Sequence, residues 1–330
     1  MTEMQFQNQA KDFLSRLAGA LERHRIFLEP SWDIDHICYR TQSLEAYEQH
    51  KSTFLNFSQF LGEAVVSGRP ISTFELKNPI WFQNRRIDLV ELPAPKEGRP
   101  TQEGFEHIEV VVNDTFQNLI EKFKHHQLEL KGLQKKFNQE LEIVLPEGSL
   151  KFHQLSLKSV IQLESNQKVW QALEASRVLE VFKPNEPLVA GTFPLGVFNK
   201  ASDLDILLFS RNLNETQDQI ANQKNWGPIE ISRKRINQLE TIVARFRFMD
   251  VPFEIFAQAR HTVLQQAYRH FLIEEKALKY KGTLFFERIV DLRRQGLKTE
   301  PAFALALGLE GDPYKELLSY EKMTGADWVR

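Results

Sequence analysis

An internal repeat in the first half of the chain constrains the fold more than any other feature. Residues 35–37 read Asp-His-Ile and residues 106–108 read Glu-His-Ile, and each triplet begins a strand-like run. Each copy ends on a second strand-like segment with an ionisable side chain, Glu91 in the first and His153 in the second. From the first histidine to the last ionisable residue, the separations are 55, 16 and 46 residues. The spacing predicts two similar modules of roughly 50 residues each.

Four side chains of these strands are candidate metal ligands: His36, Glu91, His107 and His153. A single histidine on a strand is usually a structural residue whose hydrogen bonds are made within the protein or to water. Two histidines in the same acid-His-Ile context indicate a shared role, and imidazole with carboxylate is a common donor set for divalent metals. We therefore expect a divalent metal site in this half.

The two modules resemble the vicinal oxygen chelate architecture, and most closely its YecM family. The matching segments are residues 35–37, 68–71, 90–93, 104–109 and 151–153. The resemblance implies that residues 1–164 form paired βαβββ modules, with His36, Glu91, His107 and His153 as metal ligands from their first and last strands. The wider superfamily usually has a glutamate where this chain has His153. The extra nitrogen favours Zn²⁺, Fe²⁺, Ni²⁺ or Mn²⁺ over Mg²⁺.

Two questions about this half stay open on the sequence alone. The metal could support a lyase, isomerase or dioxygenase reaction, or it could serve a non-enzymatic sensor of a metal or small ligand together with Arg40, Arg69 and Lys151. Alternation along a strand places Cys38 on the same face as His36, so Cys38 is either a thiolate ligand or a buried inert thiol.

A pair of aspartates marks the second half. Asp203 and Asp205 flank Leu204 in an apolar run, so they share one face of a strand. Adjacent carboxylates repel each other, and a divalent cation such as Mg²⁺ that also holds substrate phosphates relieves the repulsion. Glu254 follows on a later strand-like segment, which could complete a site for phosphoryl or nucleotidyl transfer.

Gly191-Thr192, the two aspartates and the later acid resemble the signature of the nucleotidyltransferase superfamily. Segments around 265–270, 296–304 and 311–314 narrow the resemblance to an uncharacterised bacterial family within it, over about residues 168–330. The resemblance implies a domain at 165–330 that binds Mg²⁺ and a nucleoside triphosphate and transfers a nucleotidyl group to an unknown acceptor. Thr192 departs mildly from the usual Gly or Ser.

The resemblance also implies residue roles in this domain. Asp203 and Asp205 would hold metal, and Glu254 would complete the catalytic set. The residues expected to bind the triphosphate are Gly191, Thr192, Ser202 and Lys298. Two plainer interpretations remain: the acids belong to a degenerate site, and Lys298 is a solvated residue beside a capped helix.

Charge and composition restrict the partners. Lysine and arginine number 42 against 44 aspartates and glutamates, a net charge of −2, so nucleic acid is not indicated as a partner. One cysteine excludes an internal disulfide framework, and no apolar run reaches the roughly 18 residues of a membrane span. We expect a cytoplasmic protein without membrane contact; the sequence does not indicate its oligomeric state.

The predicted fold class is α+β: paired βαβββ modules fused to a nucleotidyltransferase-like α/β domain with C-terminal helices. In the first domain, apolar periodicity predicts helices at 8–24, 43–61 and 115–126. In the second, strands are predicted near 187–191, 203–209, 241–248 and 251–257, and helices near 214–223, 262–278, 283–294 and 301–308. We also expect His270 to pair with Glu274 one helical turn away.

Overall fold

The structure is a computed structural model that describes residues 1–98 and 101–329. The chain divides into two compact units. The N-terminal unit consists mainly of Met1–Val112 and Phe116–Leu157, and the C-terminal unit mainly of Lys158–Met323. The division thus falls at 157/158, near the start of a helix, whereas the sequence motifs suggested 164/165.

The N-terminal unit contains three helices and eight strands in its described part. The helices are α1 (Glu3–Arg23), α2 (Leu44–Phe54) and α3 (Phe116–Phe123). The strands are β1 (Asp33–Arg40), β2 (Ser58–Val66), β3 (Arg69–Phe82), β4 (Arg85–Pro93), β5 (Gly104–Val111), β6 (Leu128–Glu129), β7 (Glu140–Leu145) and β8 (Gly148–His153).

All eight strands form one sheet in the order β2-β3-β4-β1-β5-β8-β7-β6. The first strand of each module pairs in parallel with the last, β1 with β4 and β5 with β8. The two modules join where β1 and β5 run antiparallel. Each half of the sheet therefore repeats the same βαβββ connection, as the sequence repeat predicts.

The core of this unit lies on the sheet face that carries Ile37 and Tyr39 of β1. Helix α1 packs its apolar stripe there, including the fully buried Phe6, and Thr2 caps the helix in a reciprocal box with Gln5. Because side chains alternate along a strand, His36 lies on the other face of β1. The core thus fixes which face carries the candidate ligands.

Among the predicted helices, α1 and α2 differ most from the structure in the position of one end. Helix α2 begins after its Ser43 cap but ends at Phe54 rather than at 61, because Ser58 onwards joins the sheet as β2. Helix α1 begins at Glu3 rather than at 8, because the polar Thr2–Gln5 box extends it beyond its apolar stripe.

The C-terminal unit is built around a second sheet. Its strands are β9 (Leu188–Ala190), β10 (Leu204–Phe209), β11 (Ile229–Ile236), β12 (Leu239–Phe248) and β13 (Val251–Gln258). The remaining helices of the chain are α4 (Leu157–Ser165), α5 (Gln167–Ser176), α6 (Val178–Val181), α7 (Thr192–Leu195), α8 (Leu213–Ala221), α9 (Gln266–Lys281), α10 (Thr283–Arg294), α11 (Thr299–Leu307), α12 (Pro313–Glu316) and α13 (Gly325–Val329).

The second sheet is mixed, in the order β11-β12-β13-β10-β9. Strands β10 and β13 run parallel, and the other pairs are antiparallel. Helices α9 to α12 follow the last strand along the chain. The predicted α+β class, with paired βαβββ modules and an α/β domain that ends in helices, is confirmed. The edge strand β11 was not predicted, because its centre carries consecutive cations, residues 233–235.

No helix in the described ranges 1–98 and 101–329 is long and apolar enough to cross a membrane.

Candidate functional site

Three predicted ligands come together on β1, β5 and β8. His36, His107 and His153 are buried, with 2%, 1% and 2% of their surfaces exposed. The ring of His36 lies 6.5 Å from that of His107 and 6.4 Å from that of His153, centroid to centroid. The structure therefore gathers the three histidines that the sequence places in separate strands.

The Nδ1 atom of each imidazole contacts a hydrogen-bond acceptor. The acceptor for His36 is Oδ2 of Asp35 at 3.0 Å, and for His107 it is Oε2 of Glu106 at 2.9 Å. For His153 the acceptor is the carbonyl oxygen of Leu155. An acceptor at Nδ1 favours the tautomer that carries its proton there, which leaves the Nε2 lone pair free to bind a metal. The acid of the repeated acid-His-Ile triplet thus orients its own histidine.

The three Nε2 atoms are buried and have no hydrogen-bond partner among the described residues. All three face the carboxylate of Glu109. The distances to its oxygens are 3.2 Å from His107, 3.6 Å from His36 and 3.5 Å from His153. Unpaired polar atoms in a protein interior are costly, and three around one carboxylate form a donor set that suits a divalent metal.

Glu109 was missed by the sequence analysis. It lies two residues beyond His107, so it shares that residue's face of β5, and it pairs in register with His36 of β1. That i, i+2 spacing was the available signal. In the structure Glu109 also accepts a hydrogen bond from Nζ of Lys151 at 3.1 Å.

The predicted ligand Glu91 belongs to the same cluster. One ligand atom from each of His36, Glu91, His107 and Glu109 can be chosen so that all lie within 4.8 Å of one another. His153 extends this set through its contact with Glu109. The structure therefore brings together the four residues predicted as ligands and places Glu109 among them.

The charges in this cluster depend strongly on one another. Burial alone would lower the pKa of His36, but Glu109 and Asp35 raise it well above its usual value. Burial alone would raise the pKa of Glu109, but Lys151 and His36 hold it well below its usual value. Burial disfavours the cation of His107 as well, yet Cys38 and Glu106 raise its pKa to about 10. The carboxylates thus already attract positive charge to the place where a metal ion would bind.

A second set of potential ligand atoms overlaps the first at His107. It consists of Cys38, Glu106 and His107, again within 4.8 Å of one another. Cys38 is a fully buried free thiol, and it pairs in register with Glu91 on one side and His107 on the other. The predicted placement of Cys38 on the face of His36 agrees with this geometry.

The carboxylates of the C-terminal unit lie at adjacent positions of its sheet. Asp203 directly precedes β10, and Asp205 pairs in register with Glu254 of β13 and with Ala190 of β9. Gly191 follows with φ of +77°, and a Cβ atom there would collide with Oδ2 of Asp205. The Gly-Thr turn and the acidic strand are therefore in direct contact.

These acids do not form a closed ligand set. All groups of three potential ligand atoms found within 4.8 Å in the described ranges lie in the N-terminal unit. Glu254 forms an ion pair with Arg245, its register partner on β12. Burial, followed by Glu254 and Asp203, raises the pKa of Asp205 well above its usual value. Burial also raises the pKa of Glu254, against the effect of Arg245.

The residues predicted to bind the triphosphate lie on separate helices and loops of the C-terminal unit. Thr192 is buried at the start of α7, while Lys298 precedes the first turn of α11 without a side-chain cap. The hydroxyl of Ser202 accepts a hydrogen bond from the backbone N–H of Asn199 at 2.9 Å and contacts Nη2 of Arg293 at 3.3 Å. Arg293 was not predicted from the sequence.

The environment of His270 differs from the predicted local pair. Its Nε2 atom lies 2.8 Å from the carbonyl oxygen of Tyr314, and its Nδ1 atom lies 3.7 Å from Oε1 of Glu300. Glu274 instead is 3% exposed, and its Oε1 atom has no hydrogen-bond partner in the described part of the chain. Burial, followed by Glu300, raises the pKa of Glu274 well above its usual value.

Two family models match the chain, one in each half. Residues 2–164 match the model described as YecM protein, and residues 171–320 match a domain of unknown function, DUF4269. The N-terminal half thus resembles the YecM family and the C-terminal half resembles an uncharacterised family. The two family resemblances inferred from the motifs are confirmed.

Curated relatives match parts of the chain. An uncharacterized protein of Haemophilus influenzae is 36% identical over 81 residues, which are 24% of this chain and 42% of that protein. The chain thus spans less than half of that relative's length. Protein YecM of Escherichia coli is 28% identical over 147 residues, which are 40% of this chain and 78% of that protein.

Solved structures match parts of the chain. Protein EC4020, from structural genomics, has a TM-score of 0.41 and 26% identity, over 49% of this chain and 92% of that one. The Cid1 poly(U) polymerase, solved with MgGTP bound, has a TM-score of 0.31 and 13% identity, over 42% of each chain.

Proposed function

We propose that the N-terminal unit binds one divalent transition-metal ion and catalyses a metal-dependent reaction of a small substrate. The observation that carries the proposal is the convergence of three buried, unpartnered Nε2 atoms on one carboxylate. The ligands would be His36, His107, His153 and Glu109, with Glu91 as a further candidate. A predominantly nitrogen donor set favours Zn²⁺, Fe²⁺, Ni²⁺ or Mn²⁺ over Mg²⁺.

The residues around the ligands have definable roles in this proposal. Asp35 and Glu106 accept from the Nδ1 atoms and hold two imidazoles in the ligating tautomer. Lys151 places an ammonium beside Glu109 and limits the negative charge of the set. A bound metal supplies a Lewis acid that polarises an oxygen of the substrate. A lyase, isomerase or dioxygenase reaction would use such polarisation.

Metal analysis of the purified full chain tests the proposal. Wild type should retain close to one equivalent of a transition metal, and the His36→Ala, His107→Ala double variant should lose it. The matched control replaces His24 and His125, which are exposed in the same unit, by alanine. Equal metal content in wild type and the His36/His107 variant would exclude the site.

A non-enzymatic sensor is the competing interpretation of the same ligands. Coordination distinguishes the two: a catalytic site keeps a position open to solvent or substrate, whereas a structural site is closed by protein ligands. Exogenous azide added to the Co²⁺-substituted protein should change its visible spectrum if a position is open. An unchanged spectrum supports the sensor.

A second candidate function belongs to the C-terminal unit: Mg²⁺-dependent nucleotidyl transfer from a nucleoside triphosphate to an unknown acceptor. It is supported by the contact between Gly191 and Asp205 and by the register of Asp205 with Glu254. In this proposal Asp203 and Asp205 hold Mg²⁺, and Glu254 completes the site or acts as base on the acceptor. Gly191 and Thr192, with Ser202 and Lys298, contact the phosphates.

Thermal melts of wild type and Asp203→Asn test this candidate. Wild type should be stabilised by Mg²⁺ together with a nucleoside triphosphate, and the variant should lose that shift while it keeps or gains stability without metal. Removal of a like charge beside Asp205 explains the second effect. A wild type indifferent to every triphosphate, with a destabilised variant, would contradict the proposal.

A further inference from the structure

Two arginines lie on the same sheet face as the candidate metal ligands. Arg69 is the first residue of β3, and Thr73 of that strand pairs in register with Glu91 of β4. Alternation therefore places Arg69 on the face of Glu91. By the same rule Arg40, four residues beyond His36 on β1, shares the face of His36.

Arg40 has a carboxylate partner. Its Nε atom lies 2.6 Å from Oε2 of Glu106, the same oxygen that contacts Nδ1 of His107. The negative charge of Glu106 is thus shared between a guanidinium and a metal-ligating imidazole.

Arg69 has no such partner. Its Nη1 atom donates to the carbonyl oxygen of Ala94 at 2.9 Å, and its buried Nε atom has no hydrogen-bond partner among the residues that the structure describes. No carboxylate of the described residues lies within ion-pair distance of it. Burial, followed by repulsion from Arg40, lowers the pKa of Arg69 even though Glu91 and Glu106 act against that change. The neighbouring carboxylates therefore do not offset the combined effect of burial and of Arg40 on the charge of Arg69.

We infer that Arg69, with Arg40 beside it, binds an anionic oxygen group of the substrate, a carboxylate or a phosphate, while another part of that substrate reaches the metal. The inference rests on the proposed function of the N-terminal unit and names its substrate class. A guanidinium suits this role because its planar N–H donors match the oxygens of a carboxylate or phosphate in pairs. Coordination of Glu91 to the metal would leave Arg69 with still less counter-charge.

A purely structural role for Arg69 makes a different prediction. The Nη1 contact with Ala94 joins the start of β3 to the residue after β4, so the side chain could serve only to hold two strands together. In that case its replacement would lower stability and leave anion binding unchanged.

Calorimetric titration of the full chain, stripped of metal, separates these roles. The probes are inorganic phosphate and malonate at constant ionic strength, and they also distinguish a phosphate site from a carboxylate site. Wild type should bind at least one of them. Arg69→Gln should bind it roughly tenfold to a hundredfold more weakly, because the substitution removes one charged hydrogen-bonding group. The control Arg16→Gln changes an exposed arginine of α1 and should bind as wild type does.

Arg69→Lys keeps the positive charge but removes the paired donors, and it carries the test if Arg69→Gln fails to fold. Its affinity should fall between those of wild type and Arg69→Gln, or several-fold below wild type if it is measured alone. Absence of binding to wild type, or equal binding by wild type and a folded Arg69 variant, would overturn the inference. The titration uses metal-free protein. If the chain fails to bind metal, that result contradicts the proposed function but does not change the outcome of this titration.

Discussion

The Nε2 atom of His107 lies 3.2 Å from the Oε1 atom of Glu109, two positions along the same strand. The same carboxylate oxygen accepts from Nζ of Lys151 at 3.1 Å. Glu109 therefore stands at the centre of the N-terminal site, where it faces the imidazoles and one ammonium. A metal ion and Lys151 would compete for its negative charge. Replacement of Glu109 should therefore change both metal affinity and the stability of the metal-free protein.

Glu109→Gln should weaken transition-metal binding by more than the 10- to 100-fold that is typical of changes to groups behind the ligands. The metal-free variant should also lose about 3 kcal/mol of unfolding free energy, because the ammonium of Lys151 is left unpaired. Competition with a chromogenic chelator measures the first effect, and urea unfolding measures the second. Glu121→Gln, an exposed change on α3, serves as the control. Unchanged metal affinity would remove Glu109 from the ligand set.

Asp35→Asn should reduce metal affinity about 10- to 100-fold although Asp35 precedes the ligand rather than being one. The asparagine can still accept from the backbone N–H of Leu157, which lies 2.8 Å from Oδ2 of Asp35. The same Oδ2 atom faces Nδ1 of His36, so the asparagine oxygen can keep that contact as well, but a neutral amide acceptor no longer raises the basicity of the imidazole as a carboxylate does.

Glu106→Gln should have the same effect through His107, because the two modules use the same contact. The comparison variant is Asp12→Asn on the exposed side of α1. Chelator competition applies to all three variants. If Asp35→Asn and Glu106→Gln both bind as tightly as wild type, the negative charge of the Nδ1 acceptors does not contribute to metal affinity.

The sequence repeat predicted most of this site because its two copies form equivalent halves of one sheet, and these halves meet where β1 pairs with β5. An acid-His-Ile triplet on β1 and another on β5 place His36 and His107 near the junction of the modules. What the repeat could not show is the function of the acid, since that depends on the side-chain conformation of Asp35. Glu109 was missed for a related reason: alternation gives its face, but not its convergence with residues of other strands.

The C-terminal unit was less predictable at the level of side chains. Spacing along a helix suggested that His270 and Glu274 pair, but the structure directs His270 towards Glu300 and Tyr314. Contacts with two later helices, α11 and α12, override the local i, i+4 preference, which is worth only a few tenths of a kcal/mol. The ion pair of Glu254 was also not predictable, because the predicted strands at 241–248 and 251–257 do not fix the register that places Arg245 beside Glu254.

Glu274→Gln should change how stability depends on pH. Burial raises the pKa of Glu274 well above its unfolded value, so the folded state prefers the protonated carboxyl. The contribution of this group to stability is fully present below the unfolded pKa of about 4.5 and is lost as pH rises towards the folded pKa. Within that window wild type should lose about 1.4 kcal/mol per pH unit relative to the variant, which has no carboxyl to ionise.

Urea unfolding of wild type and Glu274→Gln at a series of pH values above 4 measures this difference. The control, Glu287→Gln, alters an exposed residue of α10 and should show the pH dependence of wild type. A constant offset between wild type and Glu274→Gln at every pH would mean that the buried carboxyl does not titrate in this range.

Gly191→Ala should be more disruptive than Gly227→Ala, although both glycines have nearly the same φ, +77° and +76°. Each substitution places an alanine in a backbone conformation with positive φ, which lowers stability by roughly 1 kcal/mol or more. At 227 the new methyl group meets no atom within 4 Å, whereas at 191 it collides with the carboxylate of Asp205. The difference between the two variants therefore isolates the contact with Asp205, and overpacking of this kind typically costs about 1–3 kcal/mol.

A double-variant cycle completes the test. Asp205→Ala removes the colliding carboxylate and leaves only its Cβ atom, 3.3 Å from the new methyl group, so Gly191→Ala should cost much less in the Asp205→Ala background than in wild type. Thermal or urea unfolding of the single and double variants gives the coupling. If Gly191→Ala costs the same in both backgrounds, the glycine is required only for its backbone conformation. A coupling of about 1 kcal/mol or more would instead show that Gly191 is needed so that the turn can approach the Asp205 carboxylate, as a phosphate-binding turn beside a metal-binding acid requires.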